Sequence, residues 1–283
     1  MKKLLLFLLV LVLSVSALSG CSKKESVPGS AWATRELLTY TAKEGEEQVG
    51  ELKVRIARIS EQSFNFEKLE RDITIKNKVT KGTYMEVTYR NAEDELILEN
   101  CILMDGFDMA ASYRWEKQGD NIIETAIIYG GKGVEYYSLK KNGALVKDGA
   151  MNIKARKGVV VDGGALYIYF RCYDVETANF SATVQVPDVN TGKAQALNFS
   201  RVDEAKVNNI PLLDEDEPIT VDCIKAAISR TASPIGKSIY VYYAKNTDGY
   251  KVEGENDSFR IPVRIEENNI TYTLTKARIG SIA

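Results

Sequence analysis

The sequence predicts a mainly β protein: one curved antiparallel sheet, half-barrel or barrel-like, with at most one or two short helices. Three observations predict it. Apolar and polar residues alternate along many short runs, which is the pattern of a strand with one wet face. Turn-forming residues stand between those runs at hairpin spacing. The longest stretch of the mature chain that is apolar or aromatic on nearly every side, Ala165 to Tyr173, is short and interrupted only by Arg171.

In chain order, the first element is a leader. Met1-Lys2-Lys3 is basic, Leu4 to Ala17 is almost unbroken apolar sequence, and Leu18-Ser19-Gly20-Cys21 ends it with small residues and a cysteine. A basic start, a short apolar core and a small-residue cleavage site make a secretory signal, and the cysteine makes it a lipobox. The core of about 14 residues is short of the roughly 20 that a membrane-spanning helix needs. Residues 1–20 are therefore expected to be removed and Cys21 to be lipidated. Bacterial lipoproteins, which this leader resembles, carry two acyl chains on the glyceride and a third on the amine. Several chains hold a protein firmly where one holds it marginally. The expected address is the cell envelope, on the outer face of the cytoplasmic membrane or on the outer membrane of an organism that has one.

Residues 21–33 read as the lipidated cysteine and a flexible tether, because Ser22-Lys23-Lys24-Glu25-Ser26-Val27-Pro28-Gly29-Ser30 is polar and broken by Pro and Gly. Lys23 and Lys24 either touch anionic headgroups or are plain linker charges.

Residues 34–283 read as a single antiparallel β domain. Leu52, Val54 and Ile56 alternate with Glu51, Lys53 and Arg55; Phe180, Ala182, Val184 and Val186 alternate with Ser181, Thr183 and Gln185. Met85, Val87 and Tyr89 repeat the pattern, as do Phe259, Ile261, Val263 and Ile265, then Ile270, Tyr272 and Leu274. Turns are marked by Asn142-Gly143, Asn190-Thr191-Gly192, Asp248-Gly249 and Glu266-Glu267-Asn268-Asn269. Many short strands joined by hairpins curl into a barrel or half-barrel, and their clean alternation argues against a βαβ nucleotide fold. For Ala165 to Tyr173, Asp162 suits the cap of a short helix, while the β-branched and aromatic content suits a buried strand. In either form the segment must be buried.

Composition narrows the chemistry. The chain has 37 basic and 39 acidic residues, and removing Lys2 and Lys3 with the leader makes it more acidic. Nucleic acid, which needs a basic face, is not an expected partner. There is no histidine, so Ser-His-Asp and Cys-His nucleophiles, a HExxH zinc site and imidazole acid–base chemistry are excluded. No catalytic residue, metal site or cofactor is expected. After Cys21, three cysteines remain, Cys101, Cys172 and Cys223. They are too widely spaced for a CxxC pair and read as small core hydrophobes, with a disulfide between two of them an open alternative.

Asp214-Glu215-Asp216-Glu217 lacks the alternating ligands and central glycine of a calcium loop and reads as a solvated loop. Gly130-Gly131-Lys132-Gly133 lacks phosphate-loop spacing and reads as a hairpin turn. Asn179-Phe180-Ser181, Asn198-Phe199-Ser200 and Asn269-Ile270-Thr271 match a glycosylation sequon, but in a bacterial lipoprotein they read as strand residues.

Glu36-Leu37-Leu38-Thr39-Tyr40 with Val49-Gly50-Glu51-Leu52, then Ala165 to Asp174, then Phe259-Arg260-Ile261-Pro262-Val263-Arg264-Ile265 leading into Leu274, resemble an exported family of unknown function. That family is similar in outline to lipoprotein-carrier proteins. The resemblance spans roughly Arg35 to Lys276 and implies a curved antiparallel sheet, often with a helix across its concave side. It implies no catalytic residue. At the start of that helix, where the family has a serine, this chain has Asp162-Gly163-Gly164-Ala165.

Tyrosine is abundant, at 15 copies. Tyr240, Tyr242 and Tyr243 share one expected strand, and Tyr167, Tyr169 and Tyr173 share the apolar segment. Amphipathic rings suit a groove for lipid, glycan or peptide, and they equally suit the wide faces of a sheet. Tyr167, Tyr169 and Tyr173 are the candidate ligand-binding residues. The function expected first is a binding or carrier protein for an apolar or amphipathic ligand. A scaffolding lipoprotein that docks envelope proteins follows, and a cell-wall enzyme using two carboxylates comes last.

Overall fold

The computed structural model describes residues 32–33, 35–60, 81–153, 159–211, 217–230, 238–245 and 260–280. The leader, Cys21, most of the tether, the Asp248-Gly249 turn and Asp214 to Asp216 lie outside these.

Fifteen strands form one sheet. They are β1 (Arg35–Glu44), β2 (Glu47–Ser60), β3 (Lys81–Asn91), β4 (Leu96–Asp105), β5 (Asp108–Gln118), β6 (Asn121–Gly130), β7 (Gly133–Lys141), β8 (Ala144–Asn152), β9 (Val159–Val160), β10 (Ser181–Asp188), β11 (Lys193–Ile210), β12 (Ile219–Arg230), β13 (Ile239–Ala244), β14 (Pro262–Glu267) and β15 (Ile270–Ile279). A short helix α1 (Leu166–Tyr169) lies between β9 and β10, extended by 3₁₀ turns at Gly163–Ala165 and Phe170–Cys172. The order across the sheet is 8-7-6-5-4-3-2-1-15-14-13-12-11-10-9. First and last strands of the domain are thus neighbours at its centre, and β8 and β9 are its edges. Pairing is antiparallel throughout except for β9 with β10, which is parallel. The curved sheet expected from the alternation is present, with one helical segment.

Hairpins carry the antiparallel order. Asn142 and Gly143 have φ of 51° and 79°, and Asn268 and Asn269 have 50° and 74°. These left-handed pairs match the right-handed twist of the strands they join. Gly130 to Gly133 forms the turn between β6 and β7. Two of the sequon asparagines are turn residues rather than strand residues: Asn179 (φ 60°) precedes β10 and Asn269 precedes β15. A side chain in the left-handed region is tolerated best by Asn, which explains both positions.

One face of every long strand points into the curl. Leu38, Tyr40, Leu52, Val54, Ile56, Met85, Ile102, Met104, Phe199, Val241, Tyr243, Val263, Ile265 and Leu274 are buried there in a single core. Helix α1 packs into one end of that concavity. Asp162 caps its first turn by accepting from the Gly164 amide at 2.8 Å. The ambiguity over Ala165 to Tyr173 resolves to a helix because Asp162 and the glycines set its start, and burial on all sides leaves no polar face to require alternation.

The tether ends earlier than residue 33. Trp32 and Ala33 are buried; the Trp32 indole Nε1 donates to Thr83 Oγ1 at 3.1 Å, and the Ala33 amide donates to Glu36 Oε1 at 2.7 Å. The polar run stops at Ser30, and a tryptophan two residues later has a ring to cover. Cys101, Cys172 and Cys223 are all buried. Burial pushes the Cys172 thiol well above its usual range.

Candidate functional site

Register places inward side chains in rows across the sheet. One row runs Ile56, Met85, Ile102, Ser112, Ile127, Tyr137. The next, one pleat toward the hairpins that join β1 to β2, β3 to β4, β5 to β6 and β7 to β8, runs Val54, Val87, Asn100, Arg114, Thr125, Leu139, Lys147. The outermost runs Leu52, Tyr89, Leu98, Glu116, Ile123, Lys141.

Helix α1 and its cap cover the first row. The Asp162 carboxylate accepts from Asn100 Nδ2 at 3.0 Å and from the Tyr129 hydroxyl at 2.9 Å, and Tyr129 Oη lies 3.3 Å from Ser112 Oγ. Desolvation first, then the charge of Asp162, pushes the Tyr129 hydroxyl far above its usual range, so it stays a donor. Gly164 packs so closely that a Cβ there would fall 1.6 Å from Asn100 Nδ2. On the other side of the curl, Arg171 makes a fully buried two-pronged pair with Glu36 at 2.7 and 3.0 Å. Phe170 stacks on Phe199 with ring centroids 3.8 Å apart.

The two outer rows are covered less over β4 to β7. Leu98, Arg114, Glu116, Ile123, Thr125 and Leu139 all face inward, yet each keeps part of its surface exposed. Along the same face of the same strands, Ile102, Ile127 and Tyr137 are buried. The concavity is therefore filled at one end and open at the hairpin end. Tyr89 and Tyr272 stand at the side of this opening with their rings edge to face, centroids 6.3 Å apart. The Tyr167 hydroxyl donates to Glu267 beside them. Burial, followed by the charge of Glu267, pushes the hydroxyls of Tyr167 and Tyr272 upward. Arg114 spends Nε and one Nη on Glu116 Oε2, at 3.0 and 2.7 Å, and its Nη1 has no partner among the described residues. Burial works against the Glu116 carboxylate, but the Gln118 hydrogen bond and the charge of Arg114 outweigh it and lower its pKa. An open apolar trough with one free guanidinium edge and several hydroxyls suits an amphipathic molecule.

The three candidate tyrosines do not form one wall. Only Tyr167 reaches the opening. Tyr169 is 3% exposed and packs edge-on against Phe170 and Tyr173. Tyr173 lies toward the filled end, where it packs on Phe180 and its carbonyl accepts from Arg260 Nη1 at 2.7 Å; its hydroxyl is pushed up to about 12, chiefly by burial. A spacing of two turns Tyr167 and Tyr169 to different sides of a helix, which separates them, whereas Tyr169 and Tyr173, four apart, pack on each other away from the opening. The residues that line the opening, from Leu98 to Leu139, were missed because alternation shows that a residue faces inward and not whether anything covers it.

On the outer face, Glu86, Glu99 and Cys101 bring possible metal-ligand atoms within 4.8 Å of one another. The Tyr84 hydroxyl donates to Cys101 Sγ at 3.3 Å, the thiol lies 3.7 Å from Glu99 Oε1, and Glu86 lies 3.7 Å from Arg55 Nη1, so each member already has a partner within the protein.

No family model and no curated protein matches the chain. A solved structure described as a beta-barrel-like protein of a domain of unknown function, DUF1849, from Brucella abortus is similar in outline. Its TM-score is 0.42 at 10% identity, covering 88% of this chain and 98% of that one.

Proposed function

We propose that this is a non-catalytic binding or carrier protein of the cell envelope, holding an amphipathic ligand in the open half of its concave face. The observation that carries the reading is the change of cover along one inward face: Ile102, Ile127 and Tyr137 are sealed, while Leu98, Ile123 and Leu139 on the same strands are not. Apolar surface that faces a concavity and stays partly exposed among the described residues marks a site for something else. An apolar tail lies along Leu98, Ile123, Leu139 and the rings of Tyr89 and Tyr272. A polar or anionic head meets Arg114 Nη1, which has no partner among the described residues. Lipidation at Cys21, read from the leader, holds the domain at a membrane surface where such ligands are concentrated.

A fluorescent fatty-acid titration tests this. Leu139→Asp puts a charge into the trough at a position that is not sealed in the core, so binding should fall at least about tenfold with little change in the melting temperature. Arg114→Gln should weaken an anionic probe more than a neutral one of the same chain length. Equal binding by wild type and both variants contradicts the site.

The scaffolding alternative is favoured by one observation: edge strand β8 exposes Leu145 (56%) and Val146 (60%) beside backbone that no strand of this sheet pairs.

A further inference from the structure

The sheet curls until its two halves meet, but among the described residues it does not close by a ladder. Strand β8 remains one edge, and β9 the other. What joins β8 to the far half at the hairpin end is a side chain: Lys147 Nζ donates to the Asn190 carbonyl, in the turn between β10 and β11, at 2.8 Å. That turn sits directly on the inner face of β7 and β8. Gly192 within it has φ +69°, and a Cβ there would come within 3.2 Å of the Tyr137 hydroxyl and 3.4 Å of Lys147 Nζ. Lys147 Nζ also stands 5.9 Å from the centre of the Tyr137 ring. Lys147 pairs with Leu139 across the strands, which puts this contact beside the open trough. Leu145 and Val146, the most exposed of the large apolar residues among those described, lie on β8 next to it.

We propose that the seam between β8 and the β10–β11 turn is the ligand's lateral way into the trough, with Lys147 as its latch. The proposal rests on the concave-face reading above and adds the route. Among the described residues one side-chain hydrogen bond and the packing of Gly192 hold this seam, and such a contact opens far more readily than a strand ladder, so the seam is the place where the wall parts without unfolding. Leu145 and Val146 form an apolar lip there, and an acyl chain crossing it stays off water until it reaches Leu139. Removing the Lys147 bond to Asn190 frees the turn from β8 while leaving every backbone pair of the sheet in place.

The test cross-links the seam. In the full chain carrying Cys21→Ser, Lys147→Cys and Asn190→Cys are joined by a short bismaleimide with a reducible link. The three native thiols outside the leader are buried and leave the introduced pair to react. Stopped-flow uptake of N-phenylnaphthylamine should be about tenfold slower in the cross-linked protein, reach the same final fluorescence, and recover on reduction. An uptake rate unchanged by the cross-link overturns the lateral route. Should the probe not bind even the wild type, the concave-face reading fails, and hydrogen exchange then judges the seam alone. Lys147→Met should raise exchange in both β8 and residues 188–193, whereas unchanged exchange in both overturns the latch.

Discussion

At the scale of single residues, the aromatic segment separates packing from function. Tyr169 is sealed between Phe170 and Tyr173, while Tyr167 as a residue is only partly buried. Tyr169→Ala should therefore cost about 3–5 kcal/mol, as for a large aromatic removed from a packed core. Tyr167→Ala should cost about 1–2 kcal/mol, because it loses a hydrogen bond and partial burial, and it should also weaken probe binding. Denaturant melts of the two variants check the order, and equal costs contradict it. Arg171 and Glu36 make the second case. Each is fully buried, so Arg171→Met leaves a buried carboxylate unpaired and should cost about 3–5 kcal/mol. Adding Glu36→Leu should recover most of that loss, as a double-mutant cycle measures. The pairing was not legible in the sequence: Arg171 stood out as the one charge in an apolar run, but its partner lies 135 positions away and only the curl of the sheet brings them together.

At the scale of elements, strands were legible because period-two alternation is a local consequence of one wet face, and the hairpin turns were legible because Asn and Gly tolerate positive φ. The helix was half legible. Asp162 and two glycines announce a start, but an element buried on every side has no periodic polar face to distinguish it from a strand. The N-terminal boundary was misplaced by the same kind of local reading, since the polar tether gives no sign that Trp32 turns inward to Thr83. Truncation separates the two boundaries. A chain beginning at Trp32 should melt with the longer protein, whereas one beginning at Arg35 loses the Trp32 ring and the Ala33 hydrogen bond and should be about 3–5 kcal/mol less stable. Equal melting temperatures return the boundary to residue 34.

For the whole molecule, the class of fold followed from the strands, but its closure did not. Adjacent hairpins dictate an antiparallel order; nothing local to β1 and β15 shows that the two ends of the domain pair at the centre of the sheet, or that β8 and β9 are left as edges. The open trough is a property of that closure. A helix of one turn with short 3₁₀ extensions fills one end of the concavity and is too short to cover the other. That is why the exposed inward residues on β4 to β7 were invisible to alternation. The central claim is that this opening holds an amphipathic ligand. Native mass spectrometry of the protein released gently from its own membrane tests it most directly, with Leu139→Asp prepared in parallel. The prediction is a bound small amphipathic molecule on the wild type, beyond any covalent lipid, that is absent from the folded variant. A wild-type mass with no adduct, or the same adduct on both proteins, would contradict it.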